Sequence, residues 1–323
     1  MPYLLRDLKA FLKTLIKEHI VIAPVKEKNH YDYKVLESED EFHLDYVNTL
    51  YPPKKFLLPY EENLLLFSKR DGEFSAKPLL NKTKRVLFGV RPCDVHGIAV
   101  MDRVFLSGNY VDSFYESRRK NTIIIAIECE KAGENCYCES FGTYKVESGY
   151  DLLLTPVDDG FIVRVGSDEG KKLINELFEE TDRDEHKYPK SKTFKKEKLA
   201  KMEKYFHDEL WKTEAEKCLS CAACTIACPT CTCFTIEDEV QDPETGYRKR
   251  RWASCQLKDF TEVAGGMTFR KETYKKLRHF AYHKLYWSIK QYGLRMCIGC
   301  GRCIDTCPVN INIFDIVNRL GEE

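Results

Sequence analysis

Eight cysteines in two runs are the residues of this chain best placed to do chemistry. The first run is Cys218-x2-Cys221-x2-Cys224-x3-Cys228-Pro229. The second, Cys297-x2-Cys300-x2-Cys303-x3-Cys307-Pro308, repeats its spacing. Three thiolates at this spacing wrap three corners of one 4Fe–4S cube, and the fourth, just before proline, ligates the other cube. The spacing therefore assigns Cys218, Cys221, Cys224 and Cys307 to one cluster, and Cys297, Cys300, Cys303 and Cys228 to a second. Small residues between the thiols, as in Ile298-Gly299-Cys300-Gly301-Arg302, keep side chains off a cube and leave backbone N–H groups for its sulfurs. The proline lacks a donor and turns the chain away. A zinc knuckle needs one C-x2-C pair per half-site and no trailing proline.

Seven further cysteines remain of the fifteen. Cys93 and Cys129 each follow a short apolar run that reads as a strand, and the carboxyl ends of strands are where α/β sheets build sites. With Cys136 and Cys138 they make four thiols, the number for a third 4Fe–4S cluster. The alternatives are buried structural thiols, a structural zinc in a docking platform, or a reactive Cys93 activated by Arg91 and His96. Cys231, Cys233 and Cys255 are three ligands without a fourth, for a further cluster or zinc. Asp238 is a candidate for the missing position.

The elements that must position these thiols are legible in outline. Residues 20 to 165 read as mixed α/β, with strands at Ile20–Val25, Val86–Val90 and Thr122–Ile127. A hairpin is expected over Asp151–Thr155 and Phe161–Val165, around Asp158-Asp159-Gly160. Leu4 to Ile16 has the spacing of an amphipathic helix rather than a signal peptide. Ser167 caps an expected helix over Glu169–Glu180, and a lysine-rich helix is expected from Thr193 to Leu210. The charged stretch 181–204 reads as a linker. The fold class is therefore mixed α+β: an N-terminal α/β domain over 1–205 and an α-helical dicluster ferredoxin-like domain over 206–323. The chain after residue 205 is expected to be mostly helical, and the long segment between the cysteine runs includes an expected helix over Tyr274–Gln291. That separation resembles the α-helical ferredoxin variant found inside larger oxidoreductases.

Composition narrows the function. The 51 basic and 51 acidic residues cancel, which gives no support to nucleic-acid binding. No apolar run is long enough for a membrane helix, and so many cysteines in a cytoplasmic chain point to metal ligation rather than disulfides. No G-x-G-x-x-G follows a strand, and no H-E-x-x-H or G-x-S-x-G is present. Gly166–Lys172 has the wrong spacing for a phosphate loop. Arg248–Arg251 reads as a solvated basic face, and His279 with His283 as a surface pair. Trp252, Tyr286 and Trp287 read as core or interface aromatics.

Cys228-Pro-Thr-Cys-Thr-Cys-Phe234, Gly246–Gln256 and Val263-Ala-Gly-Gly266 resemble the β subunit of archaeal cytosolic NiFe hydrogenases, the sulfhydrogenases. Pro52–Phe56, Phe88–Asp94 and Glu134–Cys138 carry the likeness into the N-terminal half. The A subunit of anaerobic sulfite reductase shares much of this pattern. The resemblance implies a hetero-oligomer: a NiFe catalytic subunit, a small iron–sulfur subunit, a flavin subunit taking NAD(P)H, and this chain as the iron–sulfur carrier beside the flavin. It also implies sulfur or polysulfide as an acceptor.

Overall fold

A computed structural model describes residues 1–322. Twelve strands follow one another as β1 (Tyr3–Leu5), β2 (Ile20–Lys26), β3 (Tyr31–Val35), β4 (Glu61–Arg70), β5 (Glu73–Pro78), β6 (Arg85–Val90), β7 (Thr122–Ile127), β8 (Leu152–Val157), β9 (Gly160–Val165), β10 (Phe178–Glu180), β11 (Phe234–Val240) and β12 (Thr245–Trp252). Eight form one sheet in the order β10-β1-β9-β8-β7-β6-β2-β3. Its centre, β2-β6-β7-β8, is parallel, and both faces are covered. The fully buried runs of β6 and β7 follow from that double cover. On one face the helix Leu8–Glu18, capped by Asp7 Oδ1 accepting from Ala10 N at 2.8 Å, packs Phe11, Leu12 and Leu15 against Val86 and Ile125. On the other, the helix Pro92–Leu106 packs Val95, Ile98 and Met101 against Leu87 and Ile124. The expected hairpin is present as β8 and β9, in register Val157 to Gly160.

Two expected helices are shorter than their periodicity suggests. Ser167 does cap a helix, its Oγ accepting from Gly170 N at 3.0 Å, but the helix ends at Lys171. Asn175 Oδ1 then accepts from Leu177 N at 3.0 Å in a turn, and Phe178–Glu180 pairs with β1 instead. Leu173, Ile174 and Leu177 still pack on the core from this irregular path. The lysine-rich segment breaks into a helix at Lys196–Ala200 and a 3-10 turn at Met202–Tyr205. The break buries Met202 beside Trp211 in a third core.

After residue 205 the chain forms short helices at Leu210–Ala215, Ala223–Ile226, Arg302–Asp305 and Ile313–Arg319. A longer one runs from Thr273 through a π-turn at His283–Trp287 to Tyr292. The segment between the cysteine runs departs from the helical expectation at β11 and β12. These strands join β4 and β5 in a four-stranded sheet, order β11-β12-β4-β5, so this sheet takes strands from both sides of residue 205. Arg248–Arg251 lies on β12, and it is not a free basic face. Arg248 pairs with Asp238, Lys249 with Glu239, and Arg251 with Glu61 and Glu237. These are cross-strand pairs of opposite charge.

Arg250 turns inward, fully buried, and donates through Nε to Glu62 Oε1 at 2.8 Å. The other oxygen of Glu62 lies 2.6 Å from Arg118 Nη2, also buried. One carboxylate from β4 thus holds guanidinium groups from β12 and from the helix Ser113–Lys120. Removing one member of a buried ionic network leaves the others uncompensated, which costs about 3–5 kcal/mol. Glu62→Gln is expected to lower the urea unfolding midpoint of the anaerobic protein by that equivalent. Glu237→Gln, on the exposed edge, should change it by less than about 1 kcal/mol.

Candidate metal centres

The two cysteine runs fold as copies of one another. Each begins with left-handed residues at equivalent places, Ser220 and Ala222 in the first and Gly299 and Gly301 in the second. Each then enters a one-turn helix, Ala223–Ile226 or Arg302–Asp305. In the first of these turns Ser220 N donates to Cys218 Sγ at 3.4 Å; beyond the second run, after left-handed Asn310, Ile311 N donates to Cys307 Sγ at 3.2 Å.

Between the copies lie two cavities. One, of about 500 Å³, is lined by Cys218, Cys221, Cys224 and Cys307, with Cys303 at its inner wall and Leu277, Phe280, Ile311 and Ile313 around it. The next, of about 420 Å³, is lined by Cys228, Cys297, Cys300 and Cys303, with Ile298, Leu285 and Tyr137. The cysteine before each proline thus lines the cavity of the other run, as the spacing requires for crossed ligation.

A third cavity, of about 350 Å³, sits where the cysteine runs meet the large sheet. Cys93, Cys129, Cys136 and Cys138 line it, together with Cys300. Cys93 stands in the first turn of the helix after β6, and Cys129 just beyond β7. Cys136 and Cys138 belong to a loop that clasps the second run. Tyr137 N donates to Gly299 O at 2.8 Å, Thr143 Oγ1 to Ile298 O at 2.6 Å, and Asn135 Nδ2 to Asp305 Oδ1 at 2.7 Å. A Cβ on Gly299 would lie 2.6 Å from Tyr137 O, and one on Gly301 2.5 Å from Asn135 O. Asn48 closes the seam, donating to Cys300 O at 2.7 Å with Cys136 Sγ 3.7 Å away. Arg302, fully buried, makes a two-pronged pair with Asp94 at 2.7 Å on each prong.

The chemistry of these donors fits a cluster. Burial pushes the thiols of the third set up: Cys93 well above its ordinary value, Cys136 to about 11, Cys129 and Cys138 in the same direction. Buried thiols of this kind become thiolates when a metal cation takes up their charge. His96 is held by the backbone, its Nε2 2.8 Å from Lys145 O. Among the described residues, no three His, Cys, Asp or Glu side chains converge closely enough to hold a single metal ion. Sulfurs sharing one zinc would lie within ~4 Å of each other.

Cys231, Cys233 and Cys255 line none of these three cavities. Cys231 follows Cys228 in a tight turn, its N donating to Cys228 O at 3.4 Å. Cys255 is buried and accepts from Gln256 Nε2 at 3.5 Å. Asp238 is no fourth ligand: it is exposed on β11, held by Arg248 through two bonds of 2.8 Å. His279 and His283 are half-buried rather than on the surface, stacked at 5.6 Å, and burial lowers each to about 4. Trp252 roofs Lys54, whose Nζ lies 3.8 Å from the ring centre.

Sequence reasoning passed over Lys54, Lys284, Asn48 and Tyr137. Lys54 and Lys284 are buried beside Cys228 and Cys231. Tyr137 OH lies 3.4 Å from Cys297 Sγ. Lysines and an asparagine scattered across a chain carry no spacing signal. Only Phe-Leu-like apolar neighbours would mark them as buried, and Pro53-Lys54-Lys55-Phe56 looks like an exposed turn.

Residues 217–311 match the model of the 4Fe-4S dicluster domain family. Over 316 residues, 94% of this chain and 92% of the relative, the sequence is 37% identical to "Sulfhydrogenase 2 subunit beta" of Pyrococcus furiosus. No solved structure matches it. With paired cysteine runs, at least two cluster sites and this identity along nearly its full length, the chain belongs to the sulfhydrogenase β-subunit family.

Proposed function

We propose that this chain is a three-cluster electron relay within a cytoplasmic hydrogenase assembly. The observation that carries the reading is the row of cavities. Each is lined by one set of four thiols, and successive cavities share a wall. Cys303 borders the first and second, and Cys300 borders the second and third. Cys218, Cys221, Cys224 and Cys307 would hold the first 4Fe–4S cluster, Cys297, Cys300, Cys303 and Cys228 the second, and Cys93, Cys129, Cys136 and Cys138 the third. Such clusters supply one-electron transfer at potentials set by charge, hydrogen bonding and solvent access. The chain's own residues provide those settings. Leu277, Phe280 and Ile313 give the first cavity apolar walls. Ser220 N, Ile311 N and Tyr137 OH reach sulfur ligands.

The relative's name makes it one subunit of an assembly. This chain carries no dinucleotide fingerprint and no nickel site in its sequence. Its proposed partners are therefore a flavin subunit taking NAD(P)H, a small iron–sulfur subunit and a NiFe catalytic subunit, with sulfur or polysulfide as acceptor. The helical elements around the paired runs fit a helical dicluster module, and no helix is long and apolar enough to cross a membrane.

The anaerobically purified chain is expected to contain about twelve iron and about twelve sulfide, four of each per cluster, and no zinc. About eight iron with one zinc would remove the third cluster. Cys228→Ala is expected to abolish the electron paramagnetic resonance signal of the second cluster and lower iron by about a third. Loss of the first cluster's signal instead would show that each run ligates its own cube.

A further inference from the structure

The second cavity is the only one of the three with buried ammonium groups against it. Lys54, in the turn Pro53–Phe56, is 2% exposed, and Lys284, in the π-turn His283–Trp287, is 4% exposed. Lys54 Nζ donates to Cys228 O at 2.9 Å and to Cys231 O at 3.0 Å. Lys284 Nζ donates to Thr230 O at 2.7 Å and Thr230 Oγ1 at 3.0 Å, and its side chain lines the cavity. Both therefore grip the Cys228–Cys231 loop from within. Among the described residues, neither ammonium meets a carboxylate within 4.0 Å. Carbonyl oxygens satisfy their hydrogen bonds but not their charge. Two cations buried together are costly unless an anion stands against them.

The neighbouring sites are built differently. The lining of the first cavity holds no charged residue at all. The third is lined by Lys131, which is exposed to solvent, and has one buried cation behind it, Arg91, whose guanidinium donates to carbonyl oxygens such as Glu128 O at 3.1 Å. Arg302, buried at the same seam, is already neutralised by Asp94. Buried positive charge without a carboxylate is thus greatest at the second station, two ammonium groups against one guanidinium. A cluster gains one negative charge on reduction, and a nearby buried cation stabilises that form.

Resting on the relay reading above, we propose that Lys54 and Lys284 are the counter-charge of the second cavity's cluster and make it the highest-potential station of the three, where an electron comes to rest between the two ends of the chain. They are positioning residues, acting through the Cys228–Cys231 loop and the field they set up.

The test is a redox titration, followed by electron paramagnetic resonance, of the full chain and of Lys54→Met and Lys284→Met. The second cluster is identified as the signal missing from Cys228→Ala. In the wild type its signal is expected first on reduction. In each variant, with iron and sulfide unchanged, its reduced-to-oxidised ratio at the wild-type midpoint should fall about tenfold, a shift of about 59 mV for one electron. The other two signals should stay in place, and Lys284→Arg should keep the wild-type midpoint. An unchanged midpoint in a fully loaded variant overturns the proposal. So does an equal shift of all three signals. Should one variant lose iron, the other carries the measurement. Iron loss in both would make the lysines mere props of the loop and would also overturn it. A wild-type chain without the second signal would instead defeat the relay reading itself.

Discussion

The structure depends on one close approach of two backbones. The loop carrying Cys136 and Cys138 presses so tightly on the second cysteine run that no side chain fits at Gly299 or Gly301. The first run, with the same turns, carries Ser220 and Ala222 at those places. A left-handed turn alone therefore does not demand glycine here. The demand comes from Tyr137 and Asn135 on the other side of the seam. Because the two backbones touch, Cys300 can face one cavity with its own run and border the next with Cys93 and Cys136. Tyr137 belongs to the C-terminal core, packed with Phe194 and Phe314, although it lies far from them in sequence. The second contact between the halves, β12 on β4, is fastened by Glu62, Arg250 and Arg118 rather than by apolar packing alone.

Buried charge is handled in two ways in this chain. At two structural seams cations and anions balance in bidentate or bridging geometry, Arg302 against Asp94, and Arg250 and Arg118 against Glu62 and Asp112. Such pairs are neutral at a distance and fix orientation, so they hold parts together without imposing a field on the cavities. Lys54 and Lys284 are of the other kind. Their charge is solvated only by carbonyl and hydroxyl oxygens, and in a low-dielectric interior it is felt over several ångströms. Burial pulls Lys54 down to about 8. At Lys284 burial acts the same way but is outweighed by the sulfurs of Cys228, Cys231 and Cys233, which hold it above its ordinary value. Of the two, Lys284 stands nearer the thiol cluster electrostatically, and it is also the one that lines the cavity.

Local signals in the sequence led to most of this, and long-range pairing accounts for what they missed. The cysteine spacing is local, so the crossed grouping of thiols around two cavities could be read directly. The strand-end positions of Cys93 and Cys129 were readable because β6 and β7 are continuous apolar runs. By contrast, β11 and β12 carry unbroken charged runs, Glu237–Glu239 and Arg248–Arg251, that mask their alternation. β12 is drawn into a strand by pairing with β4, nearly two hundred residues away in sequence, and β11 pairs in turn with β12. The apolar spacing of Leu173, Ile174, Leu177 and Phe178 fits a helix as well as the turn-and-strand path that the edge of β1 selects. Lys54 and Lys284 were illegible for the same reason: a lysine reads as solvent-facing until the fold shows what covers it.

The large sheet shows why such a chain needs partners. In open α/β sheets the carboxyl ends of central parallel strands are the usual place for a ligand. Here the ends of β6 and β7 carry Cys93 and Cys129, and the space beside them is filled by Arg91. Its guanidinium lies on the Tyr46 ring at 3.9 Å and donates to Glu128 O at 3.1 Å. The position where a nucleotide would sit is thus occupied by thiols and a plugged arginine. At the other end of the row, Cys221 is exposed and Leu219, beside it, is 64% exposed. The first cavity therefore opens toward the surface, while Cys93, Cys136 and Cys138 of the third are buried. A chain built this way has one face at which electrons can be exchanged over a short distance and an interior that insulates the rest.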